Sequence, residues 1–186
     1  VWDPATKEGV AFDTGASCVD MLAKAKACGV TIKLILLTHS HGDHIFDLPA
    51  LHSATDAPAW ISEAEALEEV ESFSPSPGAD GKRKAFSAGS LRIETFPTVG
   101  HSRGGTTYVV YGLEVPGSAS APLAIVGDAV FAGSMGGGGV SYSDALRTNK
   151  EYIYSFPDAT ILCPGHGPLT TVGQEKLHNP FAIDVA

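Results

Sequence analysis

Basic residues are scarce in this chain of 186 residues: 12 Lys and Arg stand against 21 Asp and Glu, a formal net charge of −9. A nucleic-acid backbone is held by Lys and Arg that displace condensed counterions, so nucleic acid is not expected as a partner. Long apolar runs are missing too. None is longer than five residues, far short of the roughly 18–20 needed to cross a bilayer, and no basic-then-apolar leader opens the chain, so neither a membrane anchor nor secretion is expected. Cysteine is sparse. Cys18, Cys28 and Cys163 form an odd set at spacings that fit neither a CxxC metal knuckle nor a disulfide framework, and a reducing cytoplasm is the expected setting. What is present is 44% apolar and 18% charged residues, the composition of a single globular domain over 1–186 that could bury one core but not two large ones.

The pattern along the chain predicts the elements. VW and VAFD (10–13) flank the turn-rich DPATKEG as a hairpin. Ser17 is placed to cap a helix over 18–28 whose Val19, Leu22, Ala23 and Lys26 trace one face, closed by Gly29. IKLILL (32–37) reads as a buried strand. A helix near 46–55 and a strand at 58–61 follow, and Ser62 with Glu65 forms a capping box for a helix to about Ser72. SPSPGADGKRK (74–84) is a surface loop. Strands are expected at 91–96, 106–115, 122–128 and 159–163, with a helix over 141–156 before the last. This order predicts two sheets with helices outside.

Chemistry is concentrated in THSHGDH (38–44), which packs three of the seven histidines and Asp43 directly behind LILL. Crowded imidazoles are costly unless coordination compensates. The other candidate donors also follow predicted strands: His101 after RIETFPTVG, Asp128 at the end of PLAIVG, and His166 just after ATILC. Strand ends are rigid positions from which loop side chains meet a ligand. In an extended segment residues two apart point the same way, so His39 and His41 can reach one ion while Asp43 and His44, starting the next turn, reach another. Imidazole and carboxylate without thiolate suit zinc, and equally iron or manganese.

Other candidates read as structural. His52 lies in a predicted helix and His178 near the end of the chain, and Cys163 sits in a strand facing the core. Asp13–Thr14–Gly15 reads as a strand-to-helix turn, since aspartic protease chemistry needs a second such aspartate and no second DTG exists. The run Gly136–Gly139 is open between a lid and a plain flexible loop.

THSHGDH resembles the HxHxDH signature of the metallo-β-lactamase fold, followed in that family's order by GHS (100–102), GDAVF (127–131) and PGHGP (164–168). The resemblance runs from DTG (13–15) to GHGPLTTVGQEKLHNPF (165–181). It implies an α+β, four-layer αβ/βα sandwich of two mostly antiparallel sheets with helices on the outer faces and two metal ions in the cleft between them. By the same resemblance His39, His41 and His101 would hold the first ion, Asp43, His44 and His166 the second, and Asp128 would bridge them.

GDAVFAGSMGG and PGHGPLTTVG…HNPF look most like the small glyoxalase II branch, hydrolases of glutathione thioesters. That branch's usual Arg is replaced by Gly136–Gly139, and the chain stops where full-length glyoxalase II enzymes add a helical domain. The expected activity is hydrolysis of a small thioester, possible without a dedicated acid because a thiolate leaves unprotonated. Hydroxide between two divalent ions, most simply zinc, would attack, and Asp43 would both coordinate and pass a proton. Alternatives within the same fold are a mono-iron persulfide dioxygenase using His39, His101 and Asp128, and a lactone or β-lactam hydrolase. A non-catalytic binding module or an RNA-processing enzyme fits the complete donor set and the acidic charge less well. The sequence carries no signal for oligomeric state.

Overall fold

The structure is a computed structural model and describes residues 1–113 and 121–182. The first sheet is built from β1 (Glu8–Phe12), β2 (Thr31–Leu36), β3 (Ala59–Ser62) and β4 (Glu71–Phe73), in that order across the sheet. Between β1 and β2 runs α1 (Val19–Cys28), and between β2 and β3 run the short α2 (Gly42–Ile45) and α3 (Leu48–Thr55). The second sheet contains β5 (Ala85–Ala88), β6 (Leu91–Pro97), β7 (Thr106–Tyr111), β8 (Leu123–Gly127), β9 (Ile161–Pro164) and β10 (Thr170–Thr171), ordered β10-β9-β8-β7-β6-β5. Helix α4 (Tyr142–Glu151) links β8 to β9, and α5 (Val172–His178) follows β10.

Three apolar clusters define the layers. Leu22 and Ala25 of α1 and Leu48 and Leu51 of α3 pack with Ile35, Leu37 and Ile61 of the first sheet. Val10, Leu36, Phe86, Ile93, Tyr108 and Val110 fill the space between the sheets. Ile153, Tyr154 and Phe156, just after α4, and Val172 of α5 cover the outer face of the second sheet. The result is the expected four-layer sandwich.

Strand direction departs from expectation in one sheet. The second is mostly antiparallel, with β8–β9 its one parallel pair. The first is not mostly antiparallel: all three of its pairings are parallel, because the connections through α1, through α2–α3 and through residues 63–70 each return the chain to the same end of the sheet, where a hairpin would reverse it. The N-terminal hairpin is reduced to a bridge between Trp2 and Gly9 and reciprocal backbone hydrogen bonds between Val1 and Val10 at 3.0 and 2.8 Å.

Two local expectations also change. Helix α1 packs the half-buried Leu22 and Ala25 against the core, while Val19, Ala23 and Lys26 face solvent. The Asp47 carboxylate accepts from the Cys18 backbone N–H at 2.7 Å, so a neighbouring element helps set where the helix begins. The helix expected after Ser62 is only a 3-10 turn, Glu63–Glu65, followed by β4, and Ser62 makes no side-chain cap. The Glu65 carboxylate is occupied elsewhere, as described below. The strand expected over 106–115 is β7, with residues 114–115 outside those described. No helix among the described residues is long and apolar enough to cross a membrane, and Cys18, Cys28 and Cys163 are all free thiols.

The two sheets are tied together where the THSHGDH loop leaves β2. The buried Tyr108 hydroxyl on β7 donates to the Leu37 carbonyl at 2.8 Å, and the Thr106 N–H to the Thr38 carbonyl at 3.0 Å. Removing the hydroxyl leaves a buried carbonyl short of a partner, which costs about 1–2 kcal/mol. Tyr108→Phe is expected to lower the urea midpoint by that amount of unfolding free energy, and an unchanged midpoint would show that the tie carries no stability.

Candidate metal centre

Four strand ends converge on one point. His39 and His41 follow β2, His101 follows β6, Asp128 follows β8 and His166 follows β9. His39 Nε2 lies 3.1 Å and His101 Nε2 3.0 Å from His41 Nδ1. Nitrogens bound to one tetrahedral ion at about 2.0–2.1 Å stand a little over 3 Å apart, so this spacing is that of a single coordination shell. On the other side, His166 Nε2 is 3.1 Å from Asp43 Oδ2. Asp128 lies between the two sets: its Oδ1 is 3.3 Å from His44 Nε2, and its Oδ2 is 3.5 Å from His101 Nε2 and 3.6 Å from His166 Nε2.

All seven residues expected as donors are therefore brought together. They form three overlapping groups, His39–His41–His101, His39–His44–Asp128 and Asp43–His44–His166, each with potential ligand atoms within 4.8 Å of one another. His44 Nε2 and Asp128 Oδ1 are buried without any hydrogen-bond partner, an arrangement that is costly unless a cation accepts both lone pairs. The donor set fits divalent ions.

Three of the five rings are oriented from behind. His41 is extended, at φ −63° and ψ 144°, and precedes α2, so Asp43 and His44 fall in the first turn of that helix. His44 Nδ1 is 2.8 Å from Asp13 Oδ2, the Thr38 hydroxyl donates to the same oxygen at 2.8 Å, and the Thr38 N–H donates to Asp13 Oδ1 at 2.8 Å. With its proton committed to Asp13, the Thr38 hydroxyl can accept from His39 Nδ1, 3.0 Å away. His101 Nδ1 lies 2.9 Å from the Gly137 carbonyl. These partners place N–H on the outer nitrogens and turn the lone pairs of His39, His44 and His101 inward, as metal-binding imidazoles require.

Close approach explains two glycines. A Cβ on Gly136 would lie 1.9 Å from the Asp128 carbonyl oxygen, and one on Gly165 would lie 2.4 Å from Asp128 Oδ1 and 2.5 Å from His44 Cε1. The run Gly136–Gly139 is accordingly packed against the site and supplies the carbonyl that orients His101.

The electrostatics pit burial against the carboxylates. Burial disfavours charge on His44, but Asp128 and Asp13 outweigh it and lift its pKa to about 10. Burial, reinforced by the charge on His44, drops His39 to about 4. For Asp128 burial favours the neutral acid, yet the adjacent His44 and its charge hold its pKa below the ordinary carboxylate value. A cation entering between His44 and Asp128 would displace the proton on His44, so metal uptake is expected to release protons.

Two residues that matter here are not among the sequence-derived candidates. Asp13, read as part of a turn, is instead the carboxylate that spans the loop from Thr38 to His44, and it is held at a left-handed φ of 51°. Its signal was a polar triplet between a strand and a helix. Glu65 accepts from the Ser40 N–H at 3.3 Å and from the Gly104 N–H at 2.7 Å, and also from the Ser40 hydroxyl. It thereby joins the loop bearing His39 and His41 to the loop bearing His101. Nothing in the local sequence announces this, because the Ser62–Glu65 spacing imitates a helix cap. Cys163 is also not a core residue: half-buried, it lines a cleft with Asp43, His44 and His166, and burial pushes its pKa up to about 11. His52 and His178 are exposed and belong to none of the donor groups among the described residues.

Comparison with known proteins agrees with this geometry. The family model described as the metallo-beta-lactamase superfamily matches residues 5–166. A probable metallo-hydrolase of Bacillus subtilis, YqgX, is 30% identical over 91% of this chain and 85% of its own length. The hydroxyacylglutathione hydrolase GloC of Haemophilus influenzae is 23% identical over 97% of this chain and 90% of its own. Among solved structures, the BLEG-1 B3 metallo-beta-lactamase superposes with a TM-score of 0.76 at 28% identity, covering 98% of this chain and 91% of that one.

Two measurements test the supporting residues. Asp13→Asn keeps an acceptor for Thr38 but removes the charge behind His44, and is expected to weaken metal affinity about 10- to 100-fold in a chelator competition; wild-type affinity would show that Asp13 only shapes the turn. Burial favours the protonated form of Glu65, but the hydrogen bonds from Ser40 and Gly104 outweigh it and hold its pKa below the usual range. A depressed folded pKa gives stability that is complete above the unfolded value, about 4.3, and is lost as pH falls through the folded value. The stability gap between wild type and Glu65→Gln in urea is therefore expected to close below about pH 4, and a constant gap from pH 7 to 3 would contradict the assignment.

Proposed function

Because the chain belongs to the metallo-beta-lactamase superfamily, we propose that it is a metal-dependent hydrolase of a small thioester of the hydroxyacylglutathione type, working in a reducing cytoplasm. His39, His41 and His101 would hold one divalent ion, Asp43, His44 and His166 would hold a second, and Asp128 would serve both. The observation that carries the reading is the buried Asp128 carboxylate, whose Oδ2 faces His101 at 3.5 Å and His166 at 3.6 Å. A single mononuclear site would not need one carboxylate aimed at both imidazole sets.

Two bound ions, zinc being the simplest choice, supply water acidified toward a pKa of about 7 and a polarised substrate carbonyl. The protein supplies the rest. Asp13, Thr38 and Gly137 fix the donor rings before substrate arrives, so that no reorganisation is needed during the reaction. Asp43 has a 60% exposed side chain beside His166, which suits it to carry a proton between the site and solvent. Asp128, buried between the two donor sets, sets their separation. A thiolate with a pKa near 8.5 leaves unprotonated at neutral pH, so the lack of a dedicated general acid among the seven donors is compatible with thioesters and less so with amides. The hydroxyacylglutathione hydrolase relative supports the same choice, and the probable metallo-hydrolase relative supports hydrolysis more broadly. The structural likeness to a B3 metallo-beta-lactamase favours a β-lactam as the second reading.

Metal analysis of the purified protein is expected to find about two divalent ions per chain, with hydrolysis of S-lactoylglutathione and short acyl thioesters faster than that of a chromogenic β-lactam or an acyl-homoserine lactone. One iron per chain with oxygen uptake on glutathione persulfide would overturn the hydrolase reading. Asp128→Asn is expected to lose metal and at least about 100-fold in kcat, a loss typical when a metal ligand or its close support is altered; full occupancy at wild-type rate would remove the bridge.

A further inference from the structure

A cleft of about 540 Å³ opens directly beside His41, lined among others by Glu63, Leu67, Ser102, Arg103 and Val140. Arg103 stands apart from the other arginines. Arg83 lies over the rings of Phe96 and Tyr152, Arg92 over Tyr111 beside Glu94, and Arg147 pairs with Asp144 and Glu151. Arg103 makes no ion pair, hydrogen bond or ring contact among the described residues, and neither does the carboxylate of Glu63 in the same cleft. Opposite charges that share a cleft without other partners are both available to a group bearing both signs.

The backbone beneath Arg103 is fixed although its side chain is exposed. Ser102 is buried, its carbonyl accepts from the Gly100 N–H at 3.0 Å, and the Gly104 N–H is held by Glu65 at 2.7 Å. Glu65 also grips Ser40, so the base of Arg103 keeps a constant relation to His41 and His101. In a protein of net charge −9, a cation beside the reacting centre is well placed to attract an anionic substrate group there.

We propose that this cleft is the subsite for the thiol half of the substrate, with Arg103 anchoring a carboxylate and Glu63 an ammonium, so that the enzyme selects thioesters of amino-acid-like, zwitterionic thiols. The inference rests on the thioester reading for the reaction, and on the cleft alone for the anchor. A substrate whose carbonyl sits at the donor cluster can lay its tail past His41, where Val140 and Leu67 cover the aliphatic part and the two charges hold the end. A planar guanidinium takes a carboxylate through two parallel hydrogen bonds, which a lysine at the same place would not reproduce fully.

The test compares metal-loaded wild type, Arg103→Ala, Arg103→Lys and Glu63→Gln on one acyl group carried by glutathione, by 3-mercaptopropionate and by N-acetylcysteamine. Arg103→Ala is expected to lower kcat/KM about tenfold, through KM, for the two carboxylate-bearing thioesters relative to the neutral one, with partial recovery in Arg103→Lys. Glu63→Gln is expected to lower glutathione thioester turnover about threefold relative to the other two, in keeping with an exposed charge pair. Equal losses on all three thioesters, or no loss, overturn the subsite and leave the thioester reading standing. If wild type hydrolyses none of the three, the thioester reading fails, and calorimetric binding of glutathione decides the anchor by itself. Weaker binding to Arg103→Ala than to wild type supports it, and equal or absent binding overturns it.

Discussion

A single carboxylate organises the donor cluster from behind. Asp13 receives the Thr38 N–H, the Thr38 hydroxyl and His44 Nδ1, and so determines where the loop leaves β2 and where it enters α2. Without that closure the histidines would belong to a flexible turn, and an ion would have to organise them at the cost of their conformational freedom. The left-handed backbone at Asp13 is the strained point from which the carboxylate reaches both ends of the loop.

The centre lies at the seam of the sandwich. His39, His41, Asp43 and His44 come from the first sheet, and His101, Asp128 and His166 from the second. Two kinds of contact hold the halves in register. The apolar layer containing Leu36, Ile93 and Tyr108 supplies the attraction, which has no direction. Direction comes from a few polar links: Tyr108 to Leu37, Thr106 to Thr38, and Glu65 from Ser40 to Gly104. These links cluster at the roots of the donor loops, where a small shift would alter ligand spacing most.

Much of this was legible in advance, for physical reasons that can be named. THSHGDH is unusual in composition, and its position behind a buried strand made His39, His41, Asp43 and His44 readable as donors. His101, Asp128 and His166 were readable because each follows an apolar run that forms a strand. Sequence reasoning failed where partners come from far away. Glu65 looked like a helix cap because its local spacing with Ser62 is ideal, whereas its hydrogen bonds go to residues 25 and 39 positions distant. Helix α1 turns Leu22 and Ala25 inward in place of the expected face, and Cys18, at its start, is held by Asp47, well downstream. The parallel direction of the first sheet was carried by the helices expected between its strands, a strand–helix–strand order that implies crossovers, and the expectation of mostly antiparallel sheets overrode it. Asp13 was hidden for the opposite reason, since a short polar triplet after a strand is common as a plain turn.

The donors are spread along the chain, from the loop after β2 to the loop after β9, and this bears on biosynthesis. As the polypeptide is made, its first sheet and three crowded imidazoles emerge while the partners on β8 and β9 are still to come. That early half presents nitrogen donors without Asp128 or His166, an incomplete set that would hold an ion loosely and with little discrimination. Tight retention would begin only when the last strands dock, so stable loading would mark finished assembly.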